Sequence, residues 1–159
     1  MATFGIESNG RLEKTAVYHN GQQLSGVKEI FLNLDENGTF DAIIQYEGSD
    51  KELYTKNIFT EYLENLKIVE PSFSEEEAQE LNLLEIDSDG DIESASVYYN
   101  NEQLDGLVSL YVHIKGVKPT KSSIRQLFSG KEDLPDHPEF KTEFVFRNED
   151  NTLDTEAIF

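Results

Sequence analysis

The chain has 159 residues, ten Phe and seven Tyr, no Cys, and 32 acidic against 13 basic side chains, for a formal charge of −19. That length suits one domain or two very small ones, and the aromatic content supplies a core, which argues against wholesale disorder. Disulfides, thiolate metal sites and cysteine nucleophiles are excluded, and the charge opposes direct binding to nucleic acid or an anionic membrane.

Predicted elements alternate with turn signals. A short strand at Thr3–Glu7 meets Ser8-Asn9-Gly10, and a second at Leu12–His19 ends at Asn20-Gly21. Asn-Gly is a strong hairpin signal because both residues tolerate positive φ. Val27–Leu34 is closed by Asp35-Glu36-Asn37-Gly38, Phe40–Tyr46 by Glu47-Gly48, and Leu53–Phe59 follows. Asn37-Gly38-Thr39 fits a glycosylation acceptor, but a hairpin turn accounts for it. Tyr62–Val69 fits strand or helix. Ser74-Glu75-Glu76-Glu77 has the serine cap and the third-position glutamate of a capping box, which predicts a helix to Leu81. Strands are then expected at Leu83–Asp87, Ile92–Tyr99, Leu107–Ile114, Phe140–Arg147 and Leu153–Phe159. A short helix over 122–128, closed by Gly130, falls within the second set.

The second set repeats the first. Residues 6–27 and 86–107 are identical at ten of 22 positions: Ile6, Ser8, Gly10, Glu13, Val17, Tyr18, Asn20, Gln23, Leu24 and Gly26 recur 80 residues later. Further on the offset is 100, with Phe40, Asp50, Leu53, Thr55, Ile58 and Phe59 matching Phe140, Asp150, Leu153, Thr155, Ile158 and Phe159. The second copy therefore carries a 20-residue insertion between about 115 and 139. The organisation expected is a β-meander repeat over 1–59, an acidic connector with a short helix over 60–82, and a second repeat over 83–159. Each unit alone is marginal in size, so the fold expected is mainly β: two tandem five-strand antiparallel meanders packed together like a sandwich, with two short helices.

No motif assigns a reaction. Asp87-Ser88-Asp89-Gly90-Asp91 resembles the start of a calcium loop, but Ile92 stands where glycine is needed and Tyr98 where the bidentate glutamate belongs. The matching loop, Glu7-Ser8-Asn9-Gly10-Arg11, carries an arginine. A turn explains both loops. His19, His113 and His137 follow no ligand spacing, and GxSxG, GxGxxG and the phosphate-binding loop are missing. The reading is non-enzymatic, without cofactor or metal.

Charge is the most informative feature. Residues 61–93 hold twelve acids and one base, Lys67, whereas 115–131 hold five bases and no acid. Candidate contacts are Glu75, Glu76, Glu77, Glu80, Asp87, Asp89 and Asp91 on an acidic face, with Lys118, Lys121 and Arg125 in the basic insertion. The partner they suit is a basic protein, of the kind that handles nucleic acid; neither nucleic acid itself nor a membrane is expected to bind. No apolar stretch marks a membrane span or a secretory signal, so a cytoplasmic location is expected.

The run from Val17 to Ile30, followed by Asp35 to Tyr46, resembles a short β-rich module with the pattern N-G-x-x-L-x-G-V-x-x-I in small uncharacterised phage and prophage proteins. The second copy departs from it at Asn101 and Leu107. The resemblance implies a phage or mobile-element origin and host-cytoplasmic action, and it carries no functional residue across. Two functions fit: an inhibitor that blocks a basic protein by electrostatic mimicry, or a virion structural protein assembled from duplicated β-domains, with self-association possible.

Overall fold

The computed structural model describes residues 2–116 and 139–159. The chain is mainly β, in two antiparallel sheets. In order come β1 (Ala2–Ser8), β2 (Ala16–His19), β3 (Gln22–Ser25), β4 (Val27–Asp35), β5 (Phe40–Glu47), β6 (Leu53–Asn57) and β7 (Lys67–Val69). One helical turn, α1 (Glu75–Ala78), precedes β8 (Asn82–Ser88), β9 (Ser96–Tyr99), β10 (Glu102–Gln103), β11 (Leu107–Lys115), β12 (Glu139–Arg147) and β13 (Leu153–Ala157). The seven-stranded sheet runs β10-β9-β8-β1-β2-β3-β7, and the six-stranded sheet runs β13-β12-β11-β4-β5-β6.

Period-two alternation explains the layers. Ile30, Leu32 and Leu34 on β4, Ala42, Ile44 and Tyr46 on β5, and Leu110, Val112 and Ile114 on β11 are buried, with more exposed neighbours between them. Phe4, Ile6, Leu84 and Ile86 of the other sheet join them in one core cluster, so the sheets pack face to face. Tyr99 of β9 meets Phe144 of β12 edge-on, with centroids 5.4 Å apart. Each large side chain removed from water here contributes about 1.5–3 kcal/mol.

Registers and turns recur at the sequence offsets. In the β1–β8 pairing Phe4 faces Ile86 and Ile6 faces Leu84, a pattern that maps onto itself about the Gly5–Glu85 pair. In the β4–β11 pairing Ile30 faces Ile114 and Leu34 faces Leu110, centred on Leu32–Val112. Gly10 N–H donates to Ser8 Oγ and Gly90 N–H to Ser88 Oγ, both at 3.0 Å. Both serines are fully buried. Asn20 and Asn100 share φ near +50°, and each accepts a strand-end N–H, from Thr3 at 3.0 Å and Leu83 at 2.8 Å.

The arrangement differs from one five-strand meander per copy. Leu12–Lys14 and Ile92–Ser94 form 3-10 turns, so each expected second strand starts late. The polar run Gln22–Ser25 is a strand, β3, that alternation does not reveal. Gly26 and Gly106, at φ +79° and +73°, then turn the chain from one sheet into the other. The three strands before each glycine enter the seven-stranded sheet and the three after it the six-stranded sheet, β7 alone returning to the seven-stranded sheet. Within 62–69 only β7 is regular, and it pairs with β3 inside the expected connector. The helix at 74–81 is one turn, and the expected helix at 122–128 lies outside the described residues.

The two corner glycines differ in surroundings. A Cβ on Gly26 would lie 2.8 Å from both the Glu47 carbonyl oxygen and Lys67 Cε, whereas one on Gly106 would approach nothing closer than the Arg147 carbonyl oxygen at 3.5 Å. Both substitutions carry the left-handed penalty of about 1–2 kcal/mol, and Gly26→Ala adds a backbone clash. Thermal and denaturant unfolding should show Gly26→Ala losing about 1 kcal/mol or more beyond Gly106→Ala. Equal losses would show that the clash relaxes without consequence.

Candidate functional site

The acids singled out in the sequence do not converge. Glu75, Glu76 and Glu77 occupy α1, with Glu80 just beyond it, before the first residue of β8, whereas Asp89 and Asp91 follow its last. Six residue steps of strand separate those ends by about 20 Å. Asp87 alone lies on the strand, near its far end.

Several of these carboxylates already serve local structure. Ser74 Oγ accepts the Glu77 N–H at 3.1 Å, while Glu77 accepts the Ser74 N–H at 3.2 Å and sits 3.5 Å from Lys14 Nζ. Those contacts, the Ser74 N–H first, hold its carboxyl below the ordinary glutamate range. Asp89 accepts from the Ser94 hydroxyl and, at 3.1 Å, from the Asp91 N–H, which lowers its pKa. Asp91 accepts the Glu93 N–H at 3.1 Å and caps the following 3-10 turn. Turn geometry therefore accounts for the calcium-like string. Among the described residues no group of three or more His, Asp or Glu is placed to hold a metal. Lys118, Lys121 and Arg125 lie outside the described residues, as does His137.

A different acidic surface emerges from strand pairing. On the outer face of the seven-stranded sheet Gly5 sits between Tyr18 and Glu85, with Tyr98 beyond Glu85. Thr3 faces Asp87, and Glu7 faces Leu83. Alternation thus presents Glu7, Glu85 and Asp87 on one face, with carboxylate-bearing positions about 7–8 Å apart. Tyr18 Oη donates to Glu7 at 2.9 Å, and Thr3 Oγ1 to Asp87 at 2.7 Å. Burial, then the bond to Glu7 and its charge, push the Tyr18 hydroxyl up to about 12. Burial, and secondarily the Asp87 charge, raise the Glu85 carboxyl above the ordinary glutamate value. Among the described residues no Lys, Arg or His forms an ion pair with these three carboxylates. Only Asp87 belongs to the set read from the sequence. Glu7, Glu85, Tyr18 and Tyr98 were missed, although alternation through Leu84-Glu85-Ile86-Asp87 held the signal for Glu85.

Two other features complete the surface. Clefts between the sheets repeat at the same offset: one of about 620 Å³, lined by Leu12, Val17, Leu24 and Val27, and one of about 280 Å³, lined by Ile92, Val97, Leu104 and Leu107. Among the described residues neither lining includes a histidine. On the outer face of the six-stranded sheet Phe31 meets Tyr111 and His113 edge-on, and His113 Nε2 lies 2.6 Å from Glu29. His19 is half-buried on β2, which lowers its pKa. No helix among the described residues is long and apolar enough to cross a membrane. No family model, curated protein sequence or solved structure matches the chain.

Glu85 offers a sign-definite test. Its folded pKa lies above its ordinary value, so ionisation opposes folding. The penalty is absent below the ordinary glutamate range and develops as pH rises through the raised value. Glu85→Gln should therefore stabilise the fold slightly at neutral pH, by less than about 1 kcal/mol after allowance for solvent screening, read as a small rise in Tm. The gain should vanish in acid. A loss of stability at neutral pH would contradict the assignment.

Proposed function

We propose that the protein is a non-enzymatic binding protein of phage or mobile-element origin, acting in the host cytoplasm. It docks the outer face of its seven-stranded sheet on a basic protein surface and so inhibits a nucleic-acid-handling partner. The observation that carries this reading is the placement of Glu7, Glu85 and Asp87 on one face without a basic partner among the described residues. The raised pKa of Glu85 supports it, because a cation brought by a partner would relieve the penalty on its ionised form. Tyr18 and Tyr98 supply flat amphipathic rings, the chemistry enriched at protein interfaces.

Magnitude limits the mimicry. Three carboxylates over about 14 Å of strand compare with about eight charges in the same length of B-DNA. The face therefore works as a sparse acidic patch that steers and docks, not as a charge-for-charge copy of a duplex.

The recurring registers and turns support a further part of the proposal, that the two halves are copies of one ancestral unit. A second functional reading, assembly into a virion structure, draws on the exposed five-residue edge strands β6 and β13.

Affinity capture from bacterial lysate with mass spectrometry identifies the partner, and titration at low and high salt measures it. Neutralising Glu7, Glu85 and Asp87 to the amides removes up to three charge pairs at about 0.5–1 kcal/mol each, so binding should weaken roughly 10- to 100-fold. Reversing Glu75, Glu76, Glu77 and Glu80 to lysine should matter less. Undiminished binding by the amide variant, or binding indifferent to salt, would contradict the proposal.

A further inference from the structure

The two longest sheet edges are the outer strands of the six-stranded sheet, β6 and β13. Ladder bonds fix which main-chain groups point outward. Ile58 donates to the Ala42 carbonyl at 2.8 Å and Gly48 to the Glu52 carbonyl at 2.9 Å, so the even-numbered residues of β6 face β5. Leu53, Thr55 and Asn57 then point their N–H and C=O groups away from the sheet. Matching bonds, Ile158 to the Thr142 carbonyl at 3.4 Å and Asn148 to the Thr152 carbonyl at 2.8 Å, leave Leu153, Thr155 and Ala157 outward on β13. The Asn57 N–H is taken by Glu61 at 2.9 Å. No described residue hydrogen-bonds the outward main-chain groups of Leu53, Thr55, Leu153, Thr155 or Ala157. Leu53 and Leu153 are 59% and 54% exposed.

We infer that β6 of one copy pairs antiparallel with β13 of a second copy, extending the six-stranded sheet from molecule to molecule. Full overlap of the two strands sets Thr55 opposite Thr155, Tyr54 opposite Glu156 and Lys56 opposite Asp154. Lys56 already lies 3.1 Å from Glu64, and a second carboxylate extends that pair. Charge favours this combination over the pairing of two β13 strands. Pairing β13 with another β13 in the equivalent register sets Asp154 against Glu156 twice, and like charges directly opposite are destabilising.

Strand direction sets the outcome. The six strands alternate, so β6 runs opposite to β13 within one molecule. A neighbour's β13 laid antiparallel to β6 runs the same way as the molecule's own β13. Copies then follow one another head to tail, each addition leaving one β6 and one β13 open, which gives chains that do not close. The net charge of −19 opposes this association until salt screens it. Assembly should strengthen with ionic strength, the opposite of docking through the acidic face.

Sedimentation velocity and light scattering on the full chain, over a range of concentration and salt, test the inference. The wild type should give a ladder of sizes that lengthens with both. Thr55→Pro and Thr155→Pro remove an outward donor from one edge each without touching the internal ladder. Each variant alone should lose growth beyond a dimer-sized trace, while their one-to-one mixture should form a heterodimer through the two remaining edges. Unchanged melting curves establish that both variants fold; if either fails to fold, Leu53→Lys and Leu153→Lys serve in its place. A wild type that stays monomeric at every condition overturns the proposal. So does a Thr155→Pro protein that forms strong dimers by itself, which would mean β6 pairs with β6.

Discussion

Two strand pairings hold the molecule together: β1 with β8, and β4 with β11. Each joins the first half of the chain to the second, and each lies at the centre of its sheet. Neither half has a complete core without them. Residues before β7 contribute three strands to each sheet, too few to cover both inner faces at the width the buried cluster occupies. The Gly10 and Gly90 turns reinforce the exchange, because each approaches the end of the other half, at Phe159 and at Phe59–Thr60. The two halves thus fold as one body.

That constraint explains what was legible in the sequence. Apolar segments bounded by turn signals located β1, β4, β5, β8, β11 and β12, whose side chains alternate between core and more exposed positions. It did not separate the sheets, because partition depends on a backbone turn at Gly26 and Gly106 that leaves no mark in hydropathy. The strand Gln22–Ser25 was hidden by its polar composition and its position between two turn signals. The 3-10 turns at Leu12–Lys14 and Ile92–Ser94 carry one apolar residue each, Leu12 and Ile92, which pack against the core and imitate the start of a strand.

The candidate site was less legible for a related reason. A run of acids in sequence suggests a run of acids in space, but strands separate neighbours and bring distant residues together. Asp89 and Asp91 are consumed by turn hydrogen bonds and Glu77 by a helix cap. Glu7 joins Glu85 only through the cross-half pairing, so its place on the acidic face follows from register alone. The same register places Gly5, which lacks a side chain, at the centre of that face and leaves room for Tyr18 and Glu85 on either side.

A chain cut after residue 72 measures the dependence of one half on the other. The β1 and β4 registers are self-complementary, Gly5 pairing with its equivalent and Leu32 with its own, so two such fragments can rebuild both central pairings. The account predicts that this fragment is unfolded when dilute and gains β-structure only as a homodimer, with a melting temperature that rises with concentration. A monomeric fragment that melts cooperatively, at a temperature independent of concentration, would contradict it.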